Sequence, residues 1–95
     1  MRIFEIDQDM DHAGMSDMKE TFEALARSSE DVCLDLSQVR FLDSAGVSAM
    51  VSLFKALRGR SLKMAIVHVE GQPLRVLRRL LLGDYANPAW IGRLS

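Results

Sequence analysis

The sequence predicts an α/β fold, a mainly parallel β-sheet packed with α-helices, and three observations carry that expectation. The first is a change of period. Val32, Leu34 and Leu36 alternate with Cys33 and Asp35, the spacing of a strand with one strongly apolar face. From Val47 onward, Val47, Met50, Val51, Phe54 and Leu57 fall at the spacing of a helix with one buried side. The second is what lies between the two periods, namely Asp43, Ser44, Ala45 and Gly46. Asp and Ser oxygens accept the backbone N–H bonds that the first turn of a helix cannot make internally. The third is the order β-α-β-α-β-α along the chain, which implies parallel strands joined by right-handed crossovers.

Each element has its own signal. Residues 2–6 are rich in β-branched and aromatic side chains, with Phe4 and Ile6 facing inward, and form the first strand. Residues 7–14 read as a polar loop ending in glycine. Its acids do not follow the EF-hand spacing and lack the closing Glu, so no calcium site is expected. Ser16 or Asp17 is positioned to cap a helix reaching about residue 27, with Glu20 three residues after Asp17 as the reciprocal partner. Met18, Phe22 and Leu25 form its inward stripe, and residues 28–31 break it before the central strand.

The second helix is expected over residues 44–58. Lys55 and Arg58 lie near its negative end, and Gly59 is a natural stop. Residues 62–69 form the third strand, with Leu62, Met64 and Ile66 on one face and Lys63, Ala65 and Val67 on the other. After a turn at residues 71–73, Pro73 suits the first position of a last helix, which ends at Gly83. Leu74, Leu77, Leu80 and Leu81 line its apolar side, and Arg75, Arg78 and Arg79 lie outside it. Residues 84–95 are expected to form an irregular tail whose Tyr85, Trp90 and Ile91 either fold back as a cover over a core spanning about residues 2–82 or stand exposed as an aromatic contact for a partner. The whole of residues 1–95 is read as a single domain.

Composition narrows the function. The chain has 95 residues, 48% apolar and 26% charged, the balance of an ordinary globular domain with one core. Its longest largely apolar runs, residues 64–69 and 80–82, fall far short of the roughly 20 residues of a membrane span. No secretory signal is visible at the start, and one cysteine, read as an inert buried thiol, fits a reducing compartment. A cytoplasmic location follows as the expectation. The net charge of −1 conceals an asymmetry, because residues 1–31 hold nine acids and three bases while residues 32–95 hold four acids and nine bases. Such a split marks either two solvated faces or a charged docking surface. Nucleic acid is excluded, since the bases are not interleaved with aromatics and no binding motif is present.

Catalytic chemistry finds no support either. No motif orients His12 or His68 toward Ser44 or Cys33, the glycines form no phosphate-binding loop, and histidine and cysteine are too sparse for a metal centre. The expectation is a non-enzyme with no cofactor and no metal.

A strand followed by Asp35, Leu36 and Ser37, a short apolar link, then Asp43, Ser44, Ala45, Gly46 and a long apolar helix resembles the STAS domain family. That family includes bacterial anti-sigma factor antagonists and the cytoplasmic domains of sulfate transporters. The resemblance covers about residues 2–82 and is strongest over residues 35–46. By that resemblance, Ser44 is a phosphoacceptor presented by Asp43, and the phosphorylating partner is an anti-sigma factor with a kinase-type ATP-binding fold. The implied contact surface is the turn of Asp43, Ser44, Ala45 and Gly46, exposed Ser48 and Ser52, and the loop around Asp11 and His12. The implied protein is a bacterial, cytoplasmic antagonist, bound to its partner while Ser44 is bare and released on phosphorylation. A second reading is a non-catalytic STAS subunit attached to the ATPase of a phospholipid-transport ABC system. Asp43 and Ser44 could also serve simply as helix caps, a role open to either. Family members usually begin with one more strand before the one matching residues 2–6. An open sheet edge would follow, suited to pairing with a second copy or a partner's strand.

Overall fold

The computed structural model describes residues 1–82, the last three by their backbone alone. Three strands, β1 (Arg2–Glu5), β2 (Val32–Asp35) and β3 (Met64–Val67), form one sheet in the order β1-β2-β3, and both pairings are parallel. Four helices connect and follow them: α1 (His12–Asp17), α2 (Lys19–Ala26), α3 (Ser44–Arg58) and α4 (Gly71–Leu82). With sequential strands and right-handed crossovers, α1, α2 and α3 share one face of the sheet.

Register aligns Phe4, Leu34 and Ile66 across the sheet. On that face the Phe4 ring meets Phe22 of α2 edge-on, with centroids 6.4 Å apart. Val32, Cys33 and Leu34 of β2 are all buried, as expected for the middle strand of a parallel sheet. Ile6, Met10, Leu36 and Leu42 are fully buried just beyond the strands, so the core continues under the loops at the sheet's carboxyl end. Among the described residues, β1 and β3 are the sheet's two edges.

Several expectations need correction. The first helical segment begins at His12 instead of after a cap at Ser16 or Asp17, and it is divided at Met18. Asp11 is the cap, its Oδ1 accepting from Gly14 N at 2.8 Å, while α2 has no side-chain cap at its start. The pairing of Asp17 with Glu20 is therefore not used. Gly14 suggested a loop because glycine favours turns, yet it lies buried inside α1. A Cβ there would collide with the Asp9 carbonyl, so the missing side chain permits a close approach. On α3 the buried stripe is Gly46, Met50, Leu53 and Leu57, while Val47, Val51 and Phe54 flank it half-buried.

Strand β3 is shorter than residues 62–69 because the backbone turns left-handed at Ser61 (φ 61°) and His68 (φ 58°). Gly59 ends α3 as expected but stays right-handed at φ −61°, leaving the sharp turn to Ser61. Helix α4 starts at Gly71 (φ 64°), which places Pro73 within its first turn, where its missing N–H costs nothing. Leu77 is buried, Leu74 is half-buried, and Arg75, Arg78 and Arg79 are exposed, as expected. The expectations for the Leu80 and Leu81 side chains and for Tyr85, Trp90 and Ile91 lie outside the described residues.

Gly46 is the tightest point between α3 and the loops beneath it. A Cβ there would stand 2.8 Å from Met10 Cβ, and closer still to the Met10 carbonyl oxygen and Leu42 Cδ1. Gly46→Ala is expected to cost about 1–3 kcal/mol in urea unfolding through overpacking. Gly59→Ala, whose Cβ meets nothing nearer than 3.5 Å, is expected to be neutral or to stabilise by up to about 1 kcal/mol.

Candidate functional site

The loops leaving β1 and β2 meet at the carboxyl end of the sheet, where ligands and partners dock in open α/β sheets. Met10 and Leu42 form an isolated parallel bridge. Met10 N donates to the Phe41 carbonyl at 2.9 Å, and Asp43 N donates to the Met10 carbonyl at 3.2 Å. Asp9 Oδ1 accepts from Arg40 N at 3.0 Å and Phe41 N at 3.2 Å. Gln72, from the start of α4, holds Leu42 from the other side, its amide meeting both the N–H (2.8 Å) and the carbonyl (2.9 Å).

Asp43 completes the junction. Its Oδ1 caps α3 by accepting from Ala45 N (2.8 Å) and Gly46 N (3.3 Å), and its Oδ2 accepts from His12 N (3.2 Å) at the start of α1. Two helix N-termini thus share one carboxylate, which satisfies N–H groups that neither helix can pair internally. Since Asp43 supplies the cap, Ser44 does not have to. Ser44 is the first residue of α3, exposed, and its hydroxyl has no hydrogen-bond partner among the described residues.

The residues singled out from sequence fall into two groups. Asp11, His12, Asp43, Ser44 and Ala45 come together at this junction, with His12 and Ser44 exposed and the others half-buried. Ser48 and Ser52 are exposed and continue one line along α3 at successive four-residue steps. Gly46 is buried, so its part is to let α3 approach Met10 and Leu42. Sequence reasoning missed Gln72 and Asp9, whose clamps span distant parts of the chain, and Phe41, which is 45% exposed beside the junction. An aromatic two residues before Asp43 was the available signal for Phe41.

Asp35 ends β2 nearby. Its Oδ1 accepts from Ser37 N at 2.9 Å and its Oδ2 lies 3.2 Å from His68 Nδ1. The Ser37 backbone N–H chiefly holds its carboxyl below the ordinary value; the Ser37 hydroxyl and His68 act in the same direction, and burial opposes them. A separate, mostly apolar groove of about 230 Å³ lies between the α1–α2 segment and α3. It is lined by Met15, Phe22, Ala26, Ala49 and Leu53, with Lys19, Glu23 and Ser52 beside them.

Among the described residues, no group of three or more His, Cys, Asp and Glu side chains is arranged to hold a metal ion. Asp9 and Asp11, in the acidic loop, direct oxygens at backbone N–H groups instead. No helix among the described residues is long and apolar enough to cross a membrane.

Fold and site together define a small parallel α/β domain whose joined helix starts present a serine at the carboxyl end of the sheet. The chain belongs to the STAS domain family, whose model matches residues 1–91. Sulfate transporter 3.1 of Arabidopsis thaliana is 31% identical over 65 residues, which is 67% of this chain and 10% of that protein. The chain therefore spans about a tenth of the length of that curated relative. Among solved structures, the anti-sigma factor antagonist SpoIIAA in its unphosphorylated form superposes with a TM-score of 0.65 at 11% identity, over 84% of this chain and 71% of that one. That likeness is one of fold.

Asp43→Ala is expected to destabilise by about 1–2 kcal/mol in urea unfolding, and Asp43→Asn by much less, since an amide oxygen can still cap. For Asp35, folding lowers the pKa, so its stabilising contribution is present above the unfolded value of about 3.9 and is lost as pH falls through the lower folded value. The stability difference between the wild type and Asp35→Asn, followed by urea unfolding at stepped pH, is expected to narrow below about pH 4.

Proposed function

We propose that this domain is non-catalytic and works as a bacterial, cytoplasmic anti-sigma factor antagonist. It binds an anti-sigma factor of kinase-type ATP-binding fold while Ser44 is unmodified and releases it once Ser44 is phosphorylated. The observation that carries this reading is the division of labour between Asp43 and Ser44. Asp43 caps α3, and the exposed Ser44 hydroxyl is left available to a partner.

Phosphorylation at this position is compatible with the fold. A phosphate brings about −1.5 to −2 charges at neutral pH, and a helix N-terminus favours negative charge. The change falls instead on the docking surface, where Asp43 already stands beside Ser44. A partner face matched to a neutral hydroxyl would meet a doubly negative group. The STAS family membership and the SpoIIAA-like fold support the reading. His12, Asp11, Ser48 and Ser52 would extend the contact from the junction along α3.

The test uses wild-type, Ser44→Ala and Ser44→Asp proteins as paired baits in native lysate, with bound proteins identified by mass spectrometry. Capture of a kinase-fold regulator by the wild type and Ser44→Ala, with loss on Ser44→Asp, is the expected result. Equal capture of one partner by all three overturns the switch. If that partner is the ATPase of a phospholipid-transport ABC system, the domain is a scaffold and Ser44 merely begins a helix.

A further inference from the structure

Phe41 is a large aromatic side chain left 45% exposed. Among the described residues three large apolar side chains are exposed: Met1 (70%), Ile3 (68%) and Phe41 (45%). Met1 and Ile3 belong to the start of the edge strand β1, so Phe41 is the one of the three in the loop at the carboxyl end, three residues before Ser44. Its backbone is held on both sides. Phe41 N donates to Asp9 Oδ1 at 3.2 Å, its carbonyl accepts from Met10 N at 2.9 Å, and the next residue, Leu42, is buried and clamped by Gln72. A partner that receives this ring has only side-chain torsions to immobilise, which keeps the entropy cost of docking low.

The surroundings specify what would receive it. Asp7 is exposed, and Asp9, Asp11 and Asp43 are half-buried in the two loops that frame Phe41, against the exposed base Arg40. Hydrogen bonding to backbone N–H groups does not neutralise these carboxylates, so the ring is set in a locally acidic surface. We propose that Phe41 is the apolar anchor of the protein interface at the α3 N-terminus, and that it inserts into an apolar cleft rimmed by Lys and Arg on the partner. This rests on the reading that the junction binds a protein, and it adds the chemistry of that partner. Buried aromatic anchors ringed by polar contacts dominate many interfaces, and complementary charge governs encounter and register.

The experiment places the photoreactive analogue p-benzoylphenylalanine at position 41 of the full chain in its native host, with the same probe at position 78, an exposed site on α4, as control. The expected result is a covalent adduct specific to position 41, with the cross-linked partner peptide rich in apolar residues and flanked by Lys or Arg. With that partner purified, Phe41→Ala should weaken binding on the order of tenfold or more, while Phe41→Leu retains most of it. Raising the salt should weaken the wild-type complex. Phe41 is 45% exposed and the remainder of its surface is buried, so Phe41→Ala should lower the melting temperature modestly; affinities compared well below the melting temperature of both proteins separate lost binding from lost folding.

Absence of an adduct specific to position 41 overturns the proposal. So does an adduct with an acidic peptide or a second copy of this chain, or unchanged affinity in Phe41→Ala. Adding Ser44→Asp to the probe-bearing chain separates the two readings. An adduct that survives leaves Phe41 as the anchor and removes the phosphoswitch, while one that disappears supports both. Capture that is sensitive to Ser44→Asp, with no adduct at position 41, leaves the switch standing without this anchor.

Discussion

The Asp43 carboxylate is the interaction on which this end of the molecule depends. One oxygen caps α3 and the other receives the first N–H of α1, so the two helices start from one negatively charged point. Beneath it, Met10 and Leu42 pair as neighbouring strands would, and Gly46 lets α3 lie directly on them. A side chain at Gly46 would push α3 away, and Asp43 would then no longer reach His12 while capping α3. The position of Ser44 is thus inherited from a packing constraint two residues further along the chain.

The charge asymmetry of the sequence acquires a more specific meaning in this light. Three of the nine acids in the first third accept hydrogen bonds from backbone N–H groups, two of them from groups distant in sequence. Asp9 receives Arg40 and Phe41, Asp11 caps α1, and Asp31 Oδ1 receives Lys63 N at 2.9 Å where β2 and β3 begin. Each tie satisfies an N–H that would otherwise lack a protein partner at a loop or strand end. Neither two solvated faces nor a docking surface describes these acids fully. They brace loops and still carry charge, so the surface around Ser44 and Phe41 is at once ordered and acidic.

In the proposed reading, order and exposure together suit such a surface to switching. A loop that had to be arranged on binding would dilute the effect of one phosphate. Here the backbone on either side of Ser44 is held in advance, by the α3 cap and by the Gln72 clamp on Leu42. A phosphate there, on that reading, would act on the partner's side of the interface, since a helix N-terminus tolerates negative charge.

Elements governed by local chemistry were legible in the sequence: the three strands and their order, the full extent of α3, the burial of Leu77 on α4 and the exposed serine at a helix start. Alternation, helical spacing and capping preference act over a few residues, and a chain of this size has few ways to bury the resulting faces. The tertiary structure alone decided where the first helix begins, that Gly14 is a point of close packing, and which of Asp43 and Ser44 takes the cap. It also brought Asp9, Gln72 and Phe41 to the junction. In each case the deciding partner lies elsewhere in the chain or depends on the exact approach of two backbones, such as the Asp9 carbonyl against Gly14 or the His12 N–H against Asp43. The sequence by itself determined a parallel α/β domain with a serine at the mouth of its central helix. Only folding, by packing α3 onto the two loops, decided that Asp43 would hold both helices and leave that serine free.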